Sequence, residues 1–241
     1  MSTKKGGGKG GKKGSQAIRF SGRGLTTRVM TAKGRKLSST RWLQRQLNDP
    51  YVAEAKRRGY PSRAAFKLIE LDDKFHLLKR SGRVVDLGAA PGGWTQVCVE
   101  RIGPKGRIIA LDINEMAPVP GATVITCDFL EPEAPALLKD ALDGPADLVL
   151  TDMAAPVTGH AGTDHLRIMG LCEVALDFAE EVLSPGGTFV AKVFQGGAEH
   201  GLLSRLKQSF KTVRHAKPPA SRAGSAEMYV VAQGFRAGPD R

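Results

Sequence analysis

The chain has 241 residues, 41% of them hydrophobic, and its 36 Lys and Arg against 24 Asp and Glu give a formal net charge of +12. That length can bury a full core and predicts one α/β domain with an appendage. No window has the roughly 18 apolar residues of a membrane span, and no charged stretch leads into an apolar one as in a secretory leader, so a cytoplasmic, non-spanning protein is expected.

The positive charge is concentrated at the N-terminus. Residues 1–58 hold 16 Lys and Arg against only Asp49 and Glu54, a net of +14, which leaves −2 for the remaining 183 residues. Such a segment suits the phosphates of a nucleic acid without reading bases, the plain alternative being a solubilising tail. Residues 1–38, opening MSTKKGGGKGGKKGS, have too few apolar groups to offset chain entropy and are expected to be disordered. Their lack of acids also suits a mitochondrial transit peptide, but the first 15 residues have no apolar helical face. From Ser39, the spacing of Trp42, Leu43, Leu47, Tyr51 and Val52 predicts one basic amphipathic helix on the domain edge. After Gly59, Pro61 and Ser62 open another, with Ala65, Leu68, Ile69 and Leu71 on its apolar face.

Beyond residue 80, strands and helices alternate. Strands are predicted at 83–86, 107–112, 123–127, 147–151, 187–193, 212–216 and 228–232, and helices at about 93–102, 133–142, 164–183 and 198–209. Alternation implies a mostly parallel sheet with helices on both faces, and the short link between the last two strands predicts an antiparallel pair at one edge. The domain should run over 39–236, leaving 237–241 as a tail, and function should gather at the carboxyl ends of the strands. Cys98, Cys127 and Cys172 are widely spaced in apolar segments, which supports neither a metal site nor disulfides and suits a reducing compartment.

The segment VVDLGAAPGGWTQ, 84–96, reads as strand, tight turn and helix start, with bare backbone that can approach a ligand. Gly88, Gly92 and Gly93 lack the GxGxxG spacing of a dinucleotide fingerprint, and Pro91 removes an amide that a phosphate cradle would use. Asp86 at the strand end suits a cation, such as the sulfonium and amino groups of S-adenosylmethionine. Asp112, 26 residues on, is placed to accept from ribose hydroxyls, Asp128 in CDF to accept from an adenine amino group, and Asp152 ends the fourth strand in TDMAAP. Any one Asp could be a turn former; four at successive strand ends argue for a site.

TDMAAP has no aromatic residue to stack a flipped base, and no pair of cysteines suits covalent attack on a pyrimidine, so the methyl acceptor is expected to be a hydroxyl. A hydroxyl needs a general base. Lys192 sits in the apolar strand FVAKVF, where an ammonium is costly, and burial and a second cation both favour a neutral amine; an edge-strand lysine with its head in water is the alternative. Lys67 in AAFKLIE can supply the second cation, and Glu227 in SAEMYVV opens the last strand. With Asp152, two lysines and two carboxylates are expected to converge.

RRGYPSRAAFKLIE, VVDLGAAPGGWTQ, LDI, CDF, TDMA, VAKVFQG and SRAGSAEMYVVA, in this order between Ser39 and Arg236, resemble the FtsJ/RrmJ family of ribose 2′-O-methyltransferases. The resemblance implies a seven-stranded Rossmann-like methyltransferase fold and a Lys-Asp-Lys-Glu tetrad falling on Lys67, Asp152, Lys192 and Glu227. It also implies S-adenosylmethionine at the turn with Gly92 and Trp94 and at Asp112, Asp128 and Asp152, with Lys192 as proton acceptor. Bacterial members of this size methylate a uridine ribose in the A-loop of 23S rRNA within the assembled large subunit; eukaryotic relatives act on the tRNA anticodon loop or mitochondrial rRNA. Two departures are Pro156, where many members have Asn, and a longer basic extension before Ser39.

The expected function is therefore 23S rRNA ribose methylation without a metal, by a monomer, with tRNA methylation and a non-catalytic assembly role as alternatives. The RNA surface is expected to include Arg41, Arg45, Lys56, Arg57 and Arg58, joined by Lys207, Lys211, Arg214, Lys217 and Arg222 near the last strands.

Overall fold

The structure is a computed structural model that describes residues 37–156, 158–194 and 200–237. Of the disorder expected for 1–38 and the tail expected over 237–241, residues 1–36 and 238–241 lie outside the described residues, and Leu37 and Ser38 instead begin a helix. The chain divides into two units, one ending at Pro50 and one beginning at Tyr51. The first contains α1 (Leu37–Leu47), whose last turn carries Arg45 near the negative end of the helix dipole.

The single helix expected from Ser39 is two, because α2 (Pro50–Arg58) starts afresh after Asn48 and Asp49. Pro50 has no N–H to continue α1 and disfavours helical geometry at Asp49, but it suits a first helical turn. α3 (Ala64–Phe75) buries Ala65, Phe66, Leu68, Ile69 and Leu71, the face predicted from spacing extended by Phe66.

Seven strands form one sheet: β1 (Arg83–Leu87), β2 (Arg107–Asp112), β3 (Thr123–Thr126), β4 (Ala146–Thr151), β5 (Leu183–Phe194), β6 (Phe210–Ala216) and β7 (Glu227–Phe235). Their order is β3-β2-β1-β4-β5-β7-β6. β1 to β5 pair in parallel; β7 runs antiparallel to both neighbours, so the expected antiparallel edge pair is β6·β7, with β6 outermost. Between strands lie α4 (Gly93–Ile102), α5 (Ala134–Leu142), α6 (Ala161–Val182) and α7 (His200–Ser209). β5 starts four residues before its expected position, where the register with β4 shifts between Ala146 and Leu148 and Gly186 adopts φ 83°.

The period of two along each strand sorts side chains between the faces. Val85, Leu87, Ile109, Leu111, Val149, Phe189, Ala191 and Val193 join Leu138, Leu142, Leu176, Phe178 and Leu206 of α5, α6 and α7 in one apolar core. The alternate positions Asp86, Lys192 and Tyr229 are also buried, which puts polar groups on the opposite face. That face meets α4: Thr95 hydrogen bonds Asp86, and the Trp94 and Tyr229 rings lie 5.6 Å apart. The reversal of strand order lies between β1 and β4, where a crevice opens at the carboxyl ends.

Candidate active site

Register brings the site together. Thr151 of β4 pairs with Ala191 of β5, so Asp152 and Lys192 follow side by side. Across the antiparallel pair, Lys192 lies opposite Tyr229 and Phe194 opposite Glu227. Lys67 enters from α3, the same helix whose apolar face anchors it to the domain.

The four charged groups form one connected cluster. Lys192 Nζ donates to the Asp152 main-chain carbonyl at 2.6 Å and lies 3.2 Å from Asp152 Oδ1. Lys67 Nζ donates to Glu227 Oε2 at 2.9 Å and lies 3.8 Å from Asp152 Oδ2. Two positive and two negative groups balance, which makes their partial burial tolerable. Lys192 is 8% exposed, so a freely snorkelling lysine is not what the strand presents.

Tyr229, which sequence reasoning did not single out, is the fifth member. Its hydroxyl donates to Asp152 Oδ1 at 2.8 Å and lies 3.4 Å from Glu227 Oε1, while Lys67 Nζ sits 5.7 Å from the ring centroid. The available signal was its place two residues after Glu227 on the same strand face. Ser221, also missed, donates to Glu227 Oε1 at 2.7 Å. Burial first, then the Asp152 and Glu227 carboxylates, push the Tyr229 phenol well above its ordinary range. Burial also opposes ionisation of Asp152, but Lys192, Lys67 and the Tyr229 hydroxyl outweigh it and hold that carboxyl below its usual range.

Beside the cluster lies a cavity of about 680 Å³, lined among others by Gly88, Asp112, Asp128 and Asp152. Asp112 accepts from the Ala90 amide at 2.9 Å and the Asn114 amide at 2.8 Å, and Asp128 accepts from the Leu130 amide at 3.0 Å. Asp128 is thus oriented by its own loop, and Asp112 by its own loop and by the turn after β1. Leu111, Ile113, Phe129, Leu130, Leu171 and Val174 give the cavity apolar walls, and Arg167 is the one cation that lines it among the described residues. Gly88, at φ 75°, lies so close to Met153 that a Cβ would fall 2.7 Å from Met153 Cγ. No side chain can stand there, and the backbone is left bare toward the cavity.

The other residues of the turn sit differently. Gly92 caps α4 with φ 98°, and a Cβ on Gly93 would come within 3.1 Å of Ser62 Oγ and 3.3 Å of the Ala65 amide nitrogen, so Gly93 permits α4 to pack on α3. Trp94 is 3% exposed, donates its indole N–H to the Ala64 carbonyl at 2.8 Å and does not line the cavity. Its side chain holds α4 against α3 and Tyr229. Asp86 is fully buried: Oδ2 accepts from Thr95 Oγ1 at 2.7 Å, and Oδ1 has no partner among the described residues. Burial, aided by the nearby Asp152 and Asp112 charges and opposed by Thr95, pushes the Asp86 carboxyl up to about 7. Three carboxylates under and around a cavity with one cation fit a positively charged adenosine-like ligand and disfavour a pyrophosphate. Among the described residues, no group of three His, Cys, Asp or Glu could hold a metal ion, and no helix is long and apolar enough to cross a membrane.

The residues expected to form the basic surface are spread over several elements. Lys56, Arg57 and Arg58 are exposed on α2, where Arg57 and Arg58 both bind Glu54, and the Arg58 guanidinium sits 5.4 Å from the Phe66 ring centroid. Arg45 is exposed on α1, and the side chain of Arg41 lies outside the described residues. Lys207 lies in the last turn of α7, and Lys211 is at the start of β6, about 16 Å of strand from its Ala216 end, which is the end that pairs with Tyr229. Arg214 is exposed two residues from that end. Lys217 is spent within the β6–β7 turn, donating to the Ala223 and Ser225 carbonyls at 3.2 and 2.5 Å, and Arg222 is half-buried in the same turn.

A Rossmann-like sheet with strand-end carboxylates beside a cavity is a methyltransferase architecture. Residues 60–235 match the FtsJ-like methyltransferase family, and the chain belongs to that family. Among curated relatives, "Ribosomal RNA large subunit methyltransferase E" of Paramagnetospirillum magneticum is 67% identical over 94% of this chain and 97% of its own. The protein of the same name from Rhodospirillum rubrum is 63% identical over 97% of this chain and 92% of its own. A solved ribosomal RNA methyltransferase of Plasmodium falciparum superposes with a TM-score of 0.66 at 35% identity, covering 73% of this chain and 98% of that one.

Proposed function

We propose that this chain is an S-adenosylmethionine-dependent ribose 2′-O-methyltransferase acting on a uridine in the A-loop of 23S rRNA, in the assembled large subunit. The observation that carries the chemistry is the cluster of Lys67, Asp152, Lys192 and Glu227 beside a cavity lined by Asp112, Asp128 and Asp152. The names of the relatives support the RNA, and the exposed basic face of α2 supports a polyphosphate partner.

S-adenosylmethionine, when bound, supplies an electrophilic methyl group on a sulfonium. Asp112 and Asp128 would hold its ribose and adenine, Gly88 would let the backbone close on it, and the Asp152 charge favours the cation. Lys192 first releases to solvent the proton that pairs it with Asp152, and the amine then takes the 2′-hydroxyl proton as the oxygen attacks the methyl carbon. The ammonium formed is then held by the Asp152 carbonyl at 2.6 Å and carboxylate at 3.2 Å. Lys67 competes with Lys192 for Asp152, and its charge assists binding of the RNA strand. Glu227, fixed by Lys67 and Ser221, accepts from the acceptor ribose and sets its orientation.

The test is methyl transfer from labelled S-adenosylmethionine to large subunits, free rRNA and tRNA from cells lacking the enzyme, offered separately. Label on subunits alone supports this reading. Label on tRNA moves the chain to that substrate, and no label on any RNA leaves a binding role.

A further inference from the structure

Glu227 sits at the end of an irregular turn, 217–226, yet its carboxylate must be held to a fraction of an ångström to orient a ribose. One arm that holds it is direct, from Lys67. The second begins one helical turn later on α3, at Glu70. Glu70 Oε2 accepts the Ala220 N–H at 2.6 Å, and Oε1 accepts the Tyr51 hydroxyl at 2.8 Å. Arg63, just ahead of α3, donates to the Ala220 carbonyl, and its guanidinium lies 5.5 Å from the Tyr51 ring centroid. Both polar groups of one fully buried residue, Ala220, are therefore held by side chains from outside its own turn. The next residue is Ser221, whose hydroxyl donates to Glu227 Oε1.

We infer that Glu70 is a positioning residue for methyl transfer: with Arg63 it clamps Ala220, and through Ser221 it sets the Glu227 carboxylate. Glu70 does not line the cavity, so it acts through the turn and not on the reacting atoms. Tyr51 belongs to α2, so the same clamp ties the basic helix to the site. The inference rests on the reading that Glu227 orients the acceptor ribose.

The full-length protein is assayed with labelled S-adenosylmethionine and large ribosomal subunits from cells lacking the enzyme, with calorimetric cofactor affinity and thermal unfolding measured on each variant. Glu70→Ala is expected to lower kcat by about 10- to 100-fold, the scale of a small misplacement, with cofactor Kd changed by less than about 2-fold. Glu70→Gln recovers most of that loss, because its oxygen accepts from Ala220 while its amide donates to the Tyr51 hydroxyl. In a Glu227→Ala background, Glu70→Ala costs less than about 2-fold more, since nothing is left to position. A purely structural role would instead give the same fold-loss in both backgrounds, and that result overturns the inference. A fall in kcat for Glu227→Ala but none for Glu70→Ala overturns it alone; an unchanged kcat in Glu227→Ala overturns the functional reading and this inference with it. If Glu70→Ala does not fold, Tyr51→Phe, which removes one hydrogen bond, should lower kcat about 3-fold, and no change there overturns the clamp.

Discussion

Lys192 and Tyr229 face each other across the β5–β7 pair and reach the same atom, Asp152 Oδ1, at 3.2 and 2.8 Å. One contact is an ion pair and the other a hydrogen bond from a phenol that stays protonated, because burial and the two carboxylates push its pKa well up. Asp152 is thereby kept ionised and aimed, with its second oxygen left toward Lys67.

Tyr229→Phe keeps the ring against Trp94 and removes only the hydroxyl. Asp152 then loses a donor inside a mostly buried cluster, which should cost about 1–2 kcal/mol of stability and about 10-fold in kcat, with cofactor affinity little changed. Urea unfolding and single-turnover methyl transfer check the two parts. Unchanged turnover would show that the phenol does not orient Asp152.

Asp86 gives the fold a pH dependence of definite sign. Its folded pKa, about 7, lies above the ordinary 3.8 because the carboxyl is buried, with Asp152 and Asp112 adding like charge. Between those values the folded state binds the proton more tightly, so this contribution is complete below about pH 4 and is lost as pH rises through 7. The full swing is at most about 4 kcal/mol. Asp152 acts in the opposite sense: its lowered pKa stabilises above the ordinary carboxylate range and that share is lost in acid. Asp86→Asn should remove only the first slope, so its stability relative to the parent improves from pH 5 to pH 8 in urea titrations. Parallel curves would contradict the assignment.

Much of this was legible because strands and their ends follow local rules. Predicted strand 107–112 and helix 93–102 coincide with β2 and α4, as apolar runs bounded by Gly and Asp allow. The tetrad could be named because its members stand in short motifs and the strand order of a parallel sheet brings those motifs to one end. What escaped reading depends on contacts distant in sequence. The resemblance places Trp94 at the cofactor turn, and the use of its indole on Ala64 is something no local pattern reveals. Lys217 looked like a surface cation, but the turn after β6 curls back onto it. The break before α2 was visible in Pro50 and outweighed the helical spacing that runs across it.

Gly88→Ala should be severe for two reasons. The residue has φ 75°, and the added Cβ would lie within 2.8 Å of Met153 backbone atoms. Moving the β4 loop away displaces Asp152, so cofactor affinity should fall at least about 10-fold, with a stability loss of about 1–3 kcal/mol. Calorimetry with S-adenosylmethionine checks this, and wild-type affinity would mean that the loop yields without cost.

On α2, Lys56 and Arg57 are exposed toward solvent, and Glu54, held down to about 2 by Arg57 and then Arg58, remains charged at any working pH. Lys56→Gln with Arg57→Gln should weaken RNA binding and reduce the slope of log K against log salt by about 0.7–0.9 for each phosphate that is no longer neutralised. Filter binding across a salt series reads this directly, and an unchanged slope would take α2 off the RNA path.

The most direct test of the account is the alkali digestion of large-subunit RNA labelled by the wild-type protein and by Lys192→Ala. A methylated 2′-oxygen cannot attack its own phosphodiester, so the account predicts label in an alkali-resistant dinucleotide, formed about 10²- to 10⁴-fold more slowly by the variant. Label released as a mononucleotide would mean a methylated base, and an equal rate for Lys192→Ala would remove the general base; either result contradicts the account.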